Sequence, residues 1–334
     1  MPLKILQNQR VVTPPYSSYV TYLYDKLPTF LPVLLKRIPY REFLEGAIQF
    51  LLSKQYDAVV TAGHRPAIVF AVLSRLTGLE KKQVVKELFI DERGVQSKFA
   101  SFLYRWAFKN VSLIITNSSG EIPYMMNWLR IPENRFKFIP WPANIPATET
   151  LSDEGDYVFA AGRSFRDWDT FFKAVQSVDA EYVIVAPKED IPESKLPNRI
   201  EVHCGIPHNE YLNLLRRAKI VVIPLKNTFR SVGQAVMLEA MALGKPIIAA
   251  RVVGVKDYIK QDVNGVYYEP GSASDLRNAI FRILKDNKLR ENLSDEAKKS
   301  IQNCFNKENY SNMMLETMEK VCTEVGPIGS IVRK

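Results

Sequence analysis

Short apolar runs alternate with amphipathic stretches along most of the chain. Residues 157–162 (YVFAAG) form an apolar run closed by glycine, the pattern of a strand buried on both faces. Trp168, Phe171, Phe172 and Val175 follow at i, i+3, i+4 and i+7, which predicts a helix with one apolar face. The alternation continues with strands expected at 182–186, 200–202, 220–224, 247–250 and 266–268, and helices at 209–218, 231–244 and 275–284. Gly244 with Pro246 beyond it marks a helix stop, and Ser272 with Asp275 has capping-box spacing. The first half repeats the theme, with strands expected at 57–62, 84–90, 113–117 and 136–139 and helices at 66–76, 98–109 and 119–128. Such repetition implies parallel βαβ units, hence an α/β protein with doubly wound sheets.

The Pro-rich link 140–146 and the acidic stretch 153–156 separate two Rossmann-like halves. The expected organisation is a short, basic N-terminal domain over 1–145 and a second domain over 146–305. A C-terminal helix and tail over 306–334 is expected to pack back toward the first domain. A ligand cleft is expected between the halves, at the carboxyl ends of the strands.

Composition narrows the classes. Three cysteines (Cys204, Cys304, Cys322) stand far apart and three histidines are scattered, which argues against a disulfide framework or a Cys/His metal centre. No apolar run reaches the ~18 residues of a membrane span, and the first fifteen residues lack the apolar core of a signal peptide. The expectation is a soluble, cytoplasmic protein. Charge is unevenly placed: residues 1–145 carry 19 basic and 10 acidic side chains, while the rest carries 26 of each, so the net +9 belongs to the first half. That half is expected to meet something anionic, such as a membrane surface. Residues 30–41 (FLPVLLKRIPYR) and 98–109 (KFASFLYRWAFK) mix bulky apolar and basic residues as a peripheral membrane segment would. Nucleic acid is not an expected partner, because the basic residues carry no aromatic–basic module.

The chemistry concentrates around residues 231–249 (SVGQAVMLEAMALGKPIIA). The helix expected there opens at the carboxyl end of strand 220–224. Its free N–H groups and dipole attract phosphate, and Gly233 allows close approach to the backbone. Glu239, one to two turns inside, has the chemistry to accept hydrogen bonds from vicinal hydroxyls such as those of ribose; the alternative is a solvated helix glutamate.

At these residues the sequence resembles the family 4 glycosyltransferases (glycosyl transferases group 1), which have the GT-B fold. Glu239 and Ala240 to Ala249 are similar to that family's EAMACGKPVIA run. The resemblance continues through Asp257-Tyr258-Ile259, Asn264-Gly265 and Glu269-Pro270-Gly271. It also takes in Gly162-Arg163, Gly205-Ile206-Pro207-His208 and strand 220–224, covering residues 111–320 in broad terms. It implies a nucleotide-diphosphate-sugar donor held mainly by the second domain (146–305), the first domain (1–145) on the acceptor side, and retention of anomeric configuration. By the same resemblance Glu239 stands where a glutamate meets the ribose hydroxyls, with Gly162 and Arg163 at the donor diphosphate and Arg166 as a second cation in a shifted register. Ser231 occupies the place of the family's first glutamate, beside the backbone donors of Gly233, Gln234 and Ala235. His64 and Asp91 are the candidates for a catalytic polar residue facing the donor sugar, with Arg65 and Glu87 beside them.

Asp167-Trp168-Asp169 imitates a metal-binding D-x-D, but a pair that opens a helix is better read as capping. No metal and no cofactor beyond the donor are expected. The reading is a glycosyltransferase acting on a glycan or lipid-linked acceptor. The competing reading is a catalytically degenerate nucleotide-sugar-binding or scaffold protein, motivated by Ser231 and by the lack of a Gly-rich loop after the opening strand. A dinucleotide oxidoreductase would need a G-x-G-x-x-G after a strand, and none occurs.

Overall fold

A computed structural model describes residues 3–10, 13–28, 32, 35, 38–90, 96–147, 155–191 and 199–323. The chain divides into two compact units, one formed by Met1–Ile139 with Glu308–Lys334, the other by Pro140–Lys307.

The first unit holds a six-stranded parallel sheet of β1 (Ile5–Gln7), β2 (Val20–Tyr22), β3 (Ala58–Ala62), β4 (Lys82–Lys86), β5 (Leu113–Thr116) and β6 (Phe136–Phe138), in the order β2-β1-β3-β4-β5-β6. Its helices are α1 (Arg41–Leu52), α2 (His64–Thr77), α3 (Lys98–Ala107) and α4 (Ile122–Leu129). Side chains alternate across the sheet as the two-residue period of a strand requires. Val85 and Ile114 face a core shared with α2, α3 and α4, whereas Val84, Leu113 and Ile115 face the opposite way. β4 ends at Lys86, short of the expected 84–90, because Glu87 turns the chain into the left-handed region at φ 54°.

The second unit holds another parallel sheet of β7 (Tyr157–Ala161), β8 (Glu181–Val185), β9 (Ile200–His203), β10 (Ile220–Ile223), β11 (Ile247–Ala250) and β12 (Val266–Tyr268), in the order β12-β11-β10-β7-β8-β9. Strand order therefore reverses between β7 and β10, the switch point at which open α/β sheets bind ligands. Around it pack α5 (Trp168–Val175), α6 (His208–Arg217), α7 (Gln234–Ala242), α8 (Ala273–Lys285) and α9 (Asn287–Asn303). β10 and β11 are buried throughout, as continuous apolar runs in a doubly covered sheet should be. α7 is buried along nearly its whole length and is closed by Gly244 (φ 64°) two residues beyond its end, where Lys245 N–H reaches back 2.8 Å to the Ala240 carbonyl.

The last described helix, α10 (Lys307–Thr323), returns to the first unit. Met314 and Met318 are fully buried there against Ile5, Val60, Val84 and Ile115. Ser311 Oγ accepts from Tyr16 N–H at 3.0 Å and donates to the Thr13 carbonyl at 2.8 Å, a tie across 295 residues. Because α10 covers one face of the first sheet, Met314→Ala is expected to destabilise that unit by about 2–5 kcal/mol. Denaturant unfolding checks this, and an unchanged midpoint would show that the helix does not seal the core.

Candidate functional site

The site is built from the two segments that leave the sheet at the β7/β10 switch point. β7 runs into Gly162, whose φ of 129° suits glycine, and a Cβ there would stand 2.0 Å from the Arg166 guanidinium. Arg166 is 8% exposed; its Nε donates to the Ala161 carbonyl at 2.7 Å and a terminal nitrogen to the Ser164 carbonyl at 2.9 Å. Burial pushes its pKa down to about 10, so it stays charged at neutral pH. The arginine expected as a second diphosphate cation thus faces inward and fixes the turn that presents Gly162 and Arg163. Arg163 is exposed and, among the described residues, makes no ion pair. The turn is also tied to the segment after β10: Asp167 N–H donates to the Pro224 carbonyl at 2.9 Å and Lys226 N–H to the Phe165 carbonyl at 2.8 Å. Asp167 caps α5, accepting from Thr170 N–H at 3.1 Å and from the Thr170 hydroxyl at 2.7 Å.

α7 begins at Gln234, not at residue 231, because Gly233 takes φ 91° and interrupts the helical backbone. No side chain caps this start, so the first-turn N–H groups of Gln234, Ala235 and Val236 are available at the strand end. Ser231 is buried, and the Gln234 side-chain amide donates to its hydroxyl at 2.5 Å and to the Gly254 carbonyl at 2.6 Å. Gln234 therefore offers a ligand its backbone rather than its side chain, while Ala235 is exposed.

Glu239 lies further along α7 and is 4% exposed. It accepts from Tyr211 Oη at 2.9 Å, stands 3.9 Å from His208 Nε2 and hydrogen-bonds the Asn144 side chain. Burial raises its pKa above the ordinary carboxylate range, and the Tyr211, His208 and Asn144 contacts pull in the opposite direction. Tyr211 is held well above its usual value by its own burial and by the neighbouring carboxylate. His208 and Tyr211, one turn apart on α6, stack with centroids 5.5 Å apart. A cavity of about 620 Å³ opens beside them, lined by Gly162, Arg163, Lys188, Gly205, His208 and Tyr211. Gly162, Arg163 and the His208/Tyr211 partners of Glu239 therefore share one site.

His208, Tyr211, Lys188 and Asn144 were not expected as site residues. The i, i+3 pair after Pro207 was the one legible signal, since Lys188 and Asn144 sit in connecting segments without periodicity. His64, by contrast, opens α2 at the end of β3 in the first unit, and the neighbouring Arg65 stacks on Tyr40 at 5.0 Å and pairs with Glu42 at 3.5 Å. Asp91 lies outside the described residues.

Residues 185–300 match the family described as glycosyl transferases group 1. An uncharacterized glycosyltransferase of Methanocaldococcus jannaschii is 33% identical over 105 residues, which is 31% of this chain and 25% of that protein. A second from the same organism is 26% identical over 166 residues, 45% of each. The matches thus span between a quarter and just under half the length of these curated relatives. Among solved structures, Anabaena HepE in complex with UDP superposes with a TM-score of 0.72 at 17% identity, covering 96% of this chain and all of that one. Sucrose-phosphate synthase from Thermosynechococcus elongatus gives 0.69 at 19% identity, covering 85% and 80%. The likeness to the glycosyl transferases group 1 family is thus carried by residues 185–300 of the second unit, and the likeness to these solved structures shows a GT-B fold.

Proposed function

We propose that this protein transfers a sugar, with retention of configuration and without a metal ion, from a nucleotide-diphosphate donor to a glycan or lipid-linked acceptor. The observation that carries the reading is an uncapped helix start after β10 and the exposed Arg163 after the neighbouring β7, with the buried Glu239 held by Tyr211, which lines the same cavity as Arg163. The N–H groups of Gln234 and Ala235 suit diphosphate oxygens. Arg163 suits the charge that develops as the diphosphate leaves, where a fixed cation stabilises the transition state more than the ground state. Glu239, oriented by Tyr211, suits a pair of ribose hydroxyls, and the cavity beside Lys188 and Gly205 has room for the base. The complex of HepE with UDP supports a uridine diphosphate donor. Ser231, buried and held by Gln234, favours the second reading of a nucleotide-sugar-binding protein without turnover; hydrolysis or transfer of donor sugar would reject it.

A thermal-shift panel of UDP, GDP, ADP and dTDP with their sugar conjugates tests the site, because a ligand that binds the native state raises the melting temperature by mass action. A selective shift is expected. Glu239→Ala should weaken donor binding by about 1.5–3 kcal/mol, as for hydrogen bonds to a charged group; unchanged affinity in a folded variant would overturn the assignment.

The raised pKa of Glu239 gives a pH dependence of definite sign. Hydroxyl donors need the carboxylate, so donor affinity should fall as pH drops through a value above the ordinary range for glutamate, and Glu239→Gln should remove that component. In the free protein the ionised carboxylate costs stability above its folded pKa, and the cost is gone below the unfolded value.

The reading also includes a cytoplasmic location with contact to an anionic membrane. No described helix is long and apolar enough to cross a membrane. Support for surface contact comes from α3, where Phe99 and Phe102 are 75% and 67% exposed on a helix that carries Lys98 and Arg105. Half of the segment 30–41 lies outside the described residues. Co-sedimentation with phosphatidylglycerol vesicles is expected, and Phe99→Ser with Phe102→Ser should reduce it; equal binding to phosphatidylcholine vesicles would contradict the charge component.

A further inference from the structure

The two loops that frame the proposed donor site are joined by a side-chain contact as well as by backbone bonds. Arg230, on the segment between β10 and α7, lays its guanidinium over the Phe165 ring at 5.3 Å from the centroid. Phe165 belongs to the turn after β7, two residues beyond Arg163, and both partners are half-buried. Phe165 is also a bulky side chain in left-handed backbone, at φ 57°, a conformation that costs energy and gathers at functional sites. The strained residue thus supplies a flat apolar platform on which a cation rests.

The segment that carries Arg230 is anchored along its length. Leu225 is fully buried and bridged antiparallel to Arg166. Thr228 is buried, and its hydroxyl accepts from Arg230 N–H at 3.2 Å. Beyond Arg230, Ser231 and Val232 pass so close to Gly254 that a Cβ there would stand 2.6 Å from Val232 N and 3.0 Å from Ser231 Cα. Three residues after Arg230, Gly233 turns the chain into α7. Arg230 is therefore placed between the turn that presents Arg163 and the uncapped helix start.

Charge shows why that place matters. Each phosphate of a sugar nucleotide is negatively charged, and further charge develops on the diphosphate as the sugar leaves. The start of α7 offers about half a positive charge, and Arg163 a full one. Arg166 adds nothing to this, since its guanidinium is engaged by the Ala161 and Ser164 carbonyls. Lys188 lines the cavity from the segment after β8, one strand further from the switch point. Lys226 shares the segment of Arg230 but is exposed and lies further from the helix start. A planar guanidinium already braced on a ring loses less freedom on binding than a flexible ammonium, and its fork matches two phosphate oxygens at once.

We infer that Arg230, braced on Phe165, is the second cation of the donor site and pairs with the donor diphosphate. A fixed cation there stabilises the charge that develops on the leaving group. Phe165 acts through Arg230 and is a positioning residue. The inference deepens the donor reading proposed above and rests on it.

Calorimetric titration of uridine and UDP, with guanosine and GDP as a second base series, tests this on the full chain and its variants. Arg230→Met keeps the length of the stem and removes the charge. Its affinity for the preferred diphosphate should fall about tenfold or more, as for lost hydrogen bonds to a charged group, while nucleoside affinity and melting temperature hold. Arg230→Lys should lose part of that affinity, and Phe165→Leu should lower the diphosphate preference without changing nucleoside affinity. Lys226→Ala should bind as the wild-type protein does. If Arg230→Met fails to fold, Arg230→Lys decides the matter, and undiminished diphosphate affinity in it overturns the inference. An equal loss for nucleoside and diphosphate would overturn it by marking a structural role, and so would a loss in Lys226→Ala that matches that of Arg230→Met. Wild-type affinity in Arg230→Met beside a loss in Arg163→Ala would remove this assignment and leave the donor reading standing. No preference for either diphosphate over its nucleoside in the wild-type protein would remove both.

Discussion

The candidate donor site depends on one constraint: the backbone around Gly233 must turn left-handed immediately before α7. A Cβ at that position would stand 2.9 Å from Leu225 Cδ1, and the φ of 91° would be strained for any other residue. The turn stops the helix from beginning earlier, leaves its start uncapped and aims the first N–H groups past the end of β10. Arg166 does the corresponding work on the neighbouring strand, where its buried guanidinium holds the Ala161 and Ser164 carbonyls and leaves room for nothing larger than glycine at 162. Two loops fixed by backbone bonding thus frame a site that needs few mobile side chains.

Much of the architecture was legible because doubly covered parallel strands and their helices write strong periods into the chain. Residues 158–161, 220–223 and 247–250 are buried as continuous runs, and Trp168, Phe171, Phe172 and Val175 do share a buried helix face. The expected helix over 231–244 began too early because Ser231 and Val232 fit a helical pattern, and periodicity does not register a left-handed glycine. β1 and β2, three residues each, are too short to show a period.

The site was legible in its backbone and less so in its side chains. Gly162, Arg163, Gly233 and Glu239 stand out by motif and spacing, the first two after β7 and the others at the start of and within α7, which follows the neighbouring β10. Arg166 was expected as a second diphosphate cation by resemblance; its burial goes with the antiparallel bridge to Leu225, a contact across fifty-nine residues that periodicity does not show. The partners of Glu239 come from α6 and from the segment before β7, brought together by tertiary packing that no local pattern encodes.

The central claim is that backbone N–H groups at the start of α7, together with Arg163, hold a diphosphate. The most direct measurement is calorimetric titration of the free nucleoside, its monophosphate and its diphosphate in one base series. The diphosphate should bind at least about tenfold tighter than the monophosphate, a difference of about 1.4 kcal/mol, and much of that gain should vanish in Arg163→Ala. Equal affinity for the three ligands would contradict a phosphate site at this helix.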